Sequence, residues 1–461
     1  MKRFFVKDKQ FYLLVLSFAL PVAMQQMINL GVNLADQIMI GSFGETQISA
    51  CSLANQFYFI YNILCLGISG GACVLTAQYW GAGNAKRVKQ TTTLALWLAI
   101  ALSVLFSALS LVCPETIMSF YTTDAAVMAC GAKYLKIMAF VYLIHGTAII
   151  AVSVLRTVGV IKLGLFISVV SFFVNIFFNY VFIFGKFGFP RLEIAGAAVG
   201  TLIARAVEFA ITFGYLMVVE KNLKYRLKDL FVKIDQVLMK EYITIGSPVI
   251  VSDGLLTFGN NALAMIMGHM GPSMVSAYAI CNVTVQISTV FINGISASSS
   301  VITGNTIGKG ETEKALNQGY TFFALSVIVG ILGAGIIWMI NPLIISFYNI
   351  TPETVEVTNQ LMSAVELIVI FQCIQGVMTK GVLRGGGDTK FLMMADILFL
   401  WTASIPLGFL TGLVWNMSPF IVYICLRIDF VIKSVWCVHR LQSGKWIRKA
   451  KLIEETKMAS A

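Results

Sequence analysis

Two stretches decide the fold when they are laid on each other: "IGSFGETQISACSLANQ" (residues 40–56) and "MGHMGPSMVSAYAICNV" (residues 267–283). At this offset of 227 residues, Gly41, Gly44, Ser49, Ala50 and Asn55 meet Gly268, Gly271, Ser276, Ala277 and Asn282. The match runs on without a gap, with Gly67 on Gly294, Ser69 on Ser296, Thr76 on Thr303, and Gly81 and Gly83 on Gly308 and Gly310. Thirteen of the 43 positions from 41 to 83 are identical, where this composition gives roughly 4 by chance. Upstream, Pro21 meets Pro248. Downstream, at an offset of 228, "LRTVGVIK" (155–162) meets "LRGGGDTK" (383–390). The chain is two copies of one plan.

What each copy is made of follows from composition. Of 461 residues, 58% are hydrophobic and 12% charged, and the mean hydropathy is +0.83; soluble domains carry about 25% charged residues. The apolar residues come in continuous blocks long enough to span a bilayer, which fits helices and not the alternation of a β-barrel. The chain therefore reads as an all-α polytopic membrane protein of twelve transmembrane helices, near 11–40, 46–80, 90–112, 127–157, 162–185, 194–220, 241–268, 274–307, 315–347, 354–383, 390–413 and 418–441. The basic start "MKRFFVKDKQ" leads into an apolar segment too long for a signal peptide and without a small-residue cleavage site.

Charge orients the spans. Counting residues near helix ends with the side they adjoin, 27 of the 33 Lys and Arg fall on the side of the N-terminus, the alternate loops and the C-terminus. Only Lys133, Lys136, Lys186 and Arg191 fall on the opposite side, and Arg205 and Arg427 lie within helices. The asymmetry places both termini in the cytoplasm, together with the basic segment 221–240 that joins an N-lobe (1–220, helices 1–6) to a C-lobe (241–461, helices 7–12). Both lobes then start on the same side, so the pseudo-symmetric repeat is parallel, as in transporters built from two lobes around an axis along the membrane normal. The net charge of +11 is mostly this bias; its dispersal argues against nucleic acid as a partner. There is no G-x-x-x-x-G-K-[ST] motif, and "GGGDTK" (385–390) sits between membrane helices with no preceding strand. An ion gradient, and not ATP bound by this chain, is the expected energy source. The nine cysteines and three histidines form no metal-ligand cluster. Cys113 and Cys130 flank one loop, and free thiols are the favoured reading.

Polar residues inside the spans are the candidate site. Asn29, Asn33 and Asp36 recur at i, i+4 and i+7 on helix 1, one face of one helix, with Gln25 and Gln26 a turn earlier; Asn175 and Asn179 recur at i, i+4 on helix 5. A carboxylate at a helix centre in a bilayer costs roughly 2.5–3.5 kcal/mol or more, so Asp36 needs a reason to be there. Burial disfavours its charged form, so it is suited to take up a proton, and the surrounding amide oxygens suit Na⁺ equally well. Amides that merely join helices contribute about 1 kcal/mol or less each.

The set Pro21, Asp36 with "GSFG", "QYWGAGNAKRV" closing helix 2, "NIFFNYVFIFG" closing helix 5, "IAGAAVGT" opening helix 6 and "LRGGGDTK" after helix 10 resembles the multidrug and toxic compound extrusion (MATE) exporters over nearly the whole chain. That resemblance implies a secondary active antiporter, not an enzyme, with no catalytic residues, no metal and no cofactor beyond a coupling ion, H⁺ or Na⁺. It implies a monomer in the inner (cytoplasmic) cell membrane that exports small organic compounds, expected to be cationic. It also implies an N-lobe pocket of Asp36, Asn29, Asn175, Asn179 and Thr201. This chain departs from the pattern at Asn179, where many relatives carry an aspartate. One branch of the family binds its cation through acids on helices 7 and 10. Asp253 and Glu366 correspond by helix only, because Cys373 stands where that branch has its helix-10 aspartate.

Other embedded groups are read conservatively. Arg205–Glu208 and Arg427–Asp429 are expected to be ion pairs, Asp396 to lie near Lys390, and His145 to be a hydrogen-bonded packing residue. Pro21 and Pro248 are expected to let helices 1 and 7 bend. Met24, Met27, Phe57, Tyr58, Tyr61 and Phe291 suit a surface for flat cations. Two other functions compete: a lipid-linked sugar flippase of the same wider superfamily, which would need a basic central cavity, and a channel or non-transporting receptor, which the repeat disfavours.

Overall fold

A computed structural model describes residues 5–41, 45–346, 348 and 350–450; Ser42, Phe43 and Gly44 of "GSFG" lie outside them. Among the described residues there is no strand. Eleven expected spans are helices long and apolar enough to cross a membrane: α1 (Lys9–Gly41), α2 (Glu45–Gly81), α3 (Ala85–Val112), α4 (Ala125–Thr157), α5 (Lys162–Phe184), α6 (Ile194–Val219), α7 (Gln236–Gly268), α8 (Pro272–Lys309), α9 (Thr312–Ser346), α10 (Pro352–Leu383) and α11 (Thr389–Val414). The twelfth is broken into α12 (Pro419–Leu426) and α13 (Ile428–Gln442), because the backbone of Arg427 leaves the helical region at φ −117°.

Local chemistry sets the ends. Asn84 caps α3 by accepting from Arg87 N at 3.1 Å, and Asp124 caps α4 by accepting from Ala126 N and Val127 N at 2.8 and 3.1 Å. Each cap satisfies amides that have no partner inside the helix. Proline, which lacks an N–H, stands at the first turn of α8, α10 and α12. Gly185 (φ 67°) and Gly310 (φ 87°) close α5 and α8 in the left-handed region.

The chain forms two compact units: Met24–Thr76 with Asn84–Ile243, and the chain up to Ala23 with Ala77–Gly83 and everything from Thr244. The early unit is centred on buried aromatic residues. Tyr61 Oη donates to the Tyr142 carbonyl at 2.7 Å and lies 2.9 Å from Ser103 Oγ. Small residues let α6 approach α5, since a Cβ on Gly196 would press on the backbone of Phe182 and one on Gly200 would collide with Asn179 Oδ1. The segment 221–240 is no free strand of basic residues. It folds onto α3: Lys89 Nζ reaches Asp229 at 2.8 Å and the Lys224 carbonyl at 2.7 Å, Thr93 donates to the Asp229 carbonyl at 2.7 Å, and Trp97 Nε1 donates to the Leu230 carbonyl at 2.9 Å. Burial pushes the Tyr225 phenol in this segment up to about 12. At Asp235 partial burial opposes the charge, but the Arg87 guanidinium outweighs it and holds the carboxyl below its ordinary range. Residues 236–240 are already the first turn of α7.

The later unit carries a trace of the repeat in its packing. A Cβ on Gly81 would collide with the Asn305 carbonyl, and a Cβ on Gly308 with the Gln78 carbonyl. Gly81 and Gly308 are equivalent at the 227-residue offset, and so are Gln78 and Asn305. The C-terminal turn of α2 and that of α8 thus meet through two symmetric backbone contacts. "GGGD" is a latch: Asp388 is fully buried and takes Arg440 Nε at 2.6 Å and Arg448 Nη2 at 2.8 Å. Gln78 Nε2 donates to the carbonyls of Gly385 and Arg448 at 3.2 and 3.1 Å. None of the nine cysteines forms a disulfide, Cys113 and Cys130 included.

Candidate functional site

In the early unit, α1, α5 and α6 bring the predicted polar residues together. Asn179 Nδ2 donates to Asp36 Oδ1 at 2.5 Å and to Asn175 Oδ1 at 3.2 Å. Asn175 and Asn179 are buried, and Asp36 is half-buried. The i, i+4 spacing on α5 is what lets one asparagine position the other. Asn179 Oδ1 is buried without a hydrogen-bond partner and lies against Gly200 on α6. It is a free oxygen ligand next to a carboxylate. Thr201 is half-buried beside that glycine, and Asn29 is half-buried two turns before Asp36, outside the hydrogen-bonded set. Gln25 accepts from Arg156 Nη2 at 3.3 Å.

The same unit holds a second charged group that the residue pattern showed only in part. The Arg205–Glu208 pair is present at 2.6 Å, and Arg205 lies within electrostatic range of Asp36. His145, on α4, is buried with Nδ1 facing Glu208 Oε2 at 4.0 Å. That nitrogen has no hydrogen-bond partner, so the expected packing bond is not made. Tyr58 stacks on the imidazole at 5.8 Å.

The later unit does not join its two candidate acids. Asp253 pairs with Arg384 Nη2 at 3.1 Å, and no hydrogen bond or ion pair ties it to Glu366, which is half-buried on α10. Two other expectations are corrected. Asp396 is not a neighbour of Lys390 but of Lys433, at 3.1 Å, and Asp429 meets the same Nζ at 3.0 Å. Arg427 leaves Asp429 and donates to Asn260 Oδ1 at 2.7 Å. The reason is helical geometry: Asp429 and Lys433 are i, i+4 on α13 and share its buried face, while Arg427, at the break, stays within electrostatic range of Asp429 without an ion pair. Ser252 and Ser404 donate to Asp396 and Asp429 at 2.6 and 2.9 Å. Lys433 gave no periodic signal in sequence. Among the described residues, no three His, Cys, Asp or Glu converge as a metal site would require.

A family model described as MatE matches residues 21–181 and 248–410, one match in each copy of the repeat. The chain belongs to the MatE family. It is 26% identical over 443 residues to the probable multidrug resistance protein NorM of Thermotoga maritima, covering 96% of this chain and 94% of that one. It is 25% identical over 444 residues to the multidrug resistance protein MdtK of Yersinia pseudotuberculosis, covering 94% and 95%. Its fold matches a crystal structure of MATE in complex with MaL6 (TM-score 0.84, 15% identity, 94% and 96% covered). It matches equally a MOP superfamily transporter from Pyrococcus furiosus whose reversed binding-pocket polarity is described as suggesting a different function (TM-score 0.83, 15% identity, 94% and 96% covered). As a MatE protein the chain is a multi-pass, all-helical membrane protein and not an enzyme.

Proposed function

We propose that this protein is a multidrug efflux transporter that exports small organic cations in exchange for inward H⁺ or Na⁺, with alternating access between two lobes whose termini lie in the cytoplasm. Relatives named as multidrug resistance proteins along almost the full length of the chain support export. The observation that carries the exchange is the Asp36 site: a carboxylate inside a membrane helix, hydrogen-bonded by a neutral amide at 2.5 Å and next to a free amide oxygen. A proton on Asp36, or Na⁺ between Asp36 and Asn179, neutralises the same charge that would hold an organic cation. One site then cannot hold both at full strength, which is what exchange needs.

The fold alone does not separate functions among these neighbours; the charge of the Asp36 cluster supports a cation as the cargo. Asp36 and Glu208 against Arg205 leave one net negative charge when His145 is neutral, which favours a cation over the anionic headgroup that a sugar-lipid flippase would carry. The test is ethidium transport in proteoliposomes with pH and Na⁺ gradients imposed separately. Transport on either gradient without ATP is expected; a requirement for ATP, or indifference to both gradients, defeats the reading. Solved MATE structures described as bent and as straight support the further proposal that Pro21 and Pro248, inside α1 and α7, are bending points. Pro21→Ala should slow transport severalfold at unchanged expression, and a wild-type rate would remove that role.

A further inference from the structure

His145 is the buried ionisable group that exchange at Asp36 leaves without a task. A histidine kept for packing usually satisfies its ring nitrogens. Even the exposed His269 places Nδ1 at 2.8 Å from the Met265 carbonyl. His145 does not: its Nδ1 is buried and unpartnered, and the nearest carboxylate oxygen is Glu208 Oε2 at 4.0 Å, just beyond hydrogen-bond length. The groups facing it are few. α6 presents Arg205 and Glu208, bonded to each other at 2.6 Å. α2 presents Tyr58, stacked on the ring, with Tyr61 and Cys65 a turn along. α4 itself presents Tyr142, whose ring also packs on Tyr58 at 6.2 Å. α1 brings Asp36, within range of Arg205.

We propose that His145 and Glu208 form a second proton-binding pair beside Asp36, so that the protein exchanges two protons, and not one, for each organic cation. The inference rests on the antiport reading above. The proton adds to Nδ1, and the imidazolium N–H turns to donate to Glu208 Oε2; no covalent bond other than N–H is made. With one proton on Asp36 the cluster of Asp36, Glu208 and Arg205 is neutral. With a second proton on His145 it carries one positive charge; burial and the Arg205 guanidinium oppose that charge, so it is held only when the Glu208 carboxylate, 4.0 Å away, closes on the imidazolium N–H. A positive pocket repels an organic cation where a neutral one merely fails to attract it. Arg205, bonded to Glu208 and within electrostatic range of Asp36, connects the two sites.

The experiment is steady-state accumulation of ethidium in proteoliposomes, with the membrane potential clamped at zero and the pH difference varied. Each exchanged proton contributes about tenfold accumulation per pH unit. Wild type should accumulate about a hundredfold per unit, and His145→Gln and Glu208→Gln about tenfold. A wild-type slope of about tenfold that disappears in Asp36→Asn overturns the second site and leaves the antiport reading standing. An unchanged hundredfold slope in His145→Gln overturns the role of His145. No pH-driven accumulation at all overturns both readings. Where neither variant inserts, protons released per ethidium bound by purified wild type, on the acidic side of neutrality, decide the matter: two are expected, and one overturns the proposal.

Discussion

Asp36, in the unit built from the earlier helices, receives its hydrogen bond from the Asn179 amide at 2.5 Å, whereas Asp396 and Asp429, in the other unit, share the ammonium of Lys433 at 3.1 and 3.0 Å. Asp253 is likewise held by Arg384 at 3.1 Å. All four are carboxylates within predicted membrane helices. Asp253, Asp396 and Asp429 each have a resident cation that no gradient can remove. Asp36 has a neutral hydrogen-bond partner beside a buried amide oxygen without a donor, and Arg205, within electrostatic range, is bonded to Glu208 and not to Asp36. On the proposed function, the carboxylate without a bonded cation serves exchange and those with one serve structure.

Removing the resident cation should break the comparison most visibly. Lys433→Met leaves two buried carboxylates on one spot without their ammonium, and loss of one partner from a buried pair costs about 3–5 kcal/mol. The purified variant should melt far below wild type or fail to accumulate, and adding Asp396→Asn with Asp429→Asn should restore it. A stable single variant with normal transport would mean that this triad is not structural.

Asp36→Asn should do the opposite. A neutral amide is cheaper in the membrane than a charge, so the protein should insert and melt normally. Ion-driven efflux at matched protein levels should fall at least about tenfold, the effect of about 1.4 kcal/mol. Full activity would move the exchange site elsewhere. Asn179→Ala should act more mildly, because it removes a charge-assisted hydrogen bond worth about 1.5–3 kcal/mol and no charge; a shift of the pH profile of efflux with retained activity is the expected reading, and complete loss would put the asparagine on a par with the acid. The smallest effect is expected from Asp253→Asn and Glu366→Gln, which should keep ion-driven efflux within about twofold of wild type, a change well under 1 kcal/mol. Loss in this pair with retention in Asp36→Asn would reverse the assignment of the two units.

Much of this was legible without coordinates. The repeat from Gly41 to Gly83 against Gly268 to Gly310 and the length of the apolar blocks led to the helix plan, and the i, i+4 pair Asn175–Asn179 with Asp36 led to the polar site. These are periodic features, and helix geometry converts a period into a face. The pairings that failed, Arg427 with Asp429 and Asp396 with Lys390, were inferred from closeness along the chain. Closeness along the chain does not decide contacts across helices.

The sequence by itself determined the number of spans, the two-copy plan, the family and the face of α1 that carries Asp36, because each depends on spacing within one element. Only the tertiary structure decided which carboxylate has a cation beside it, that His145 on α4 faces Glu208 on α6, and that Gly81 and Gly308 meet each other's helices. Those outcomes depend on the rotation and depth of helices that lie far apart along the chain, and an ion pair or an empty hydrogen-bond position is set by a displacement of an ångström, smaller than any feature that hydrophobic periodicity records.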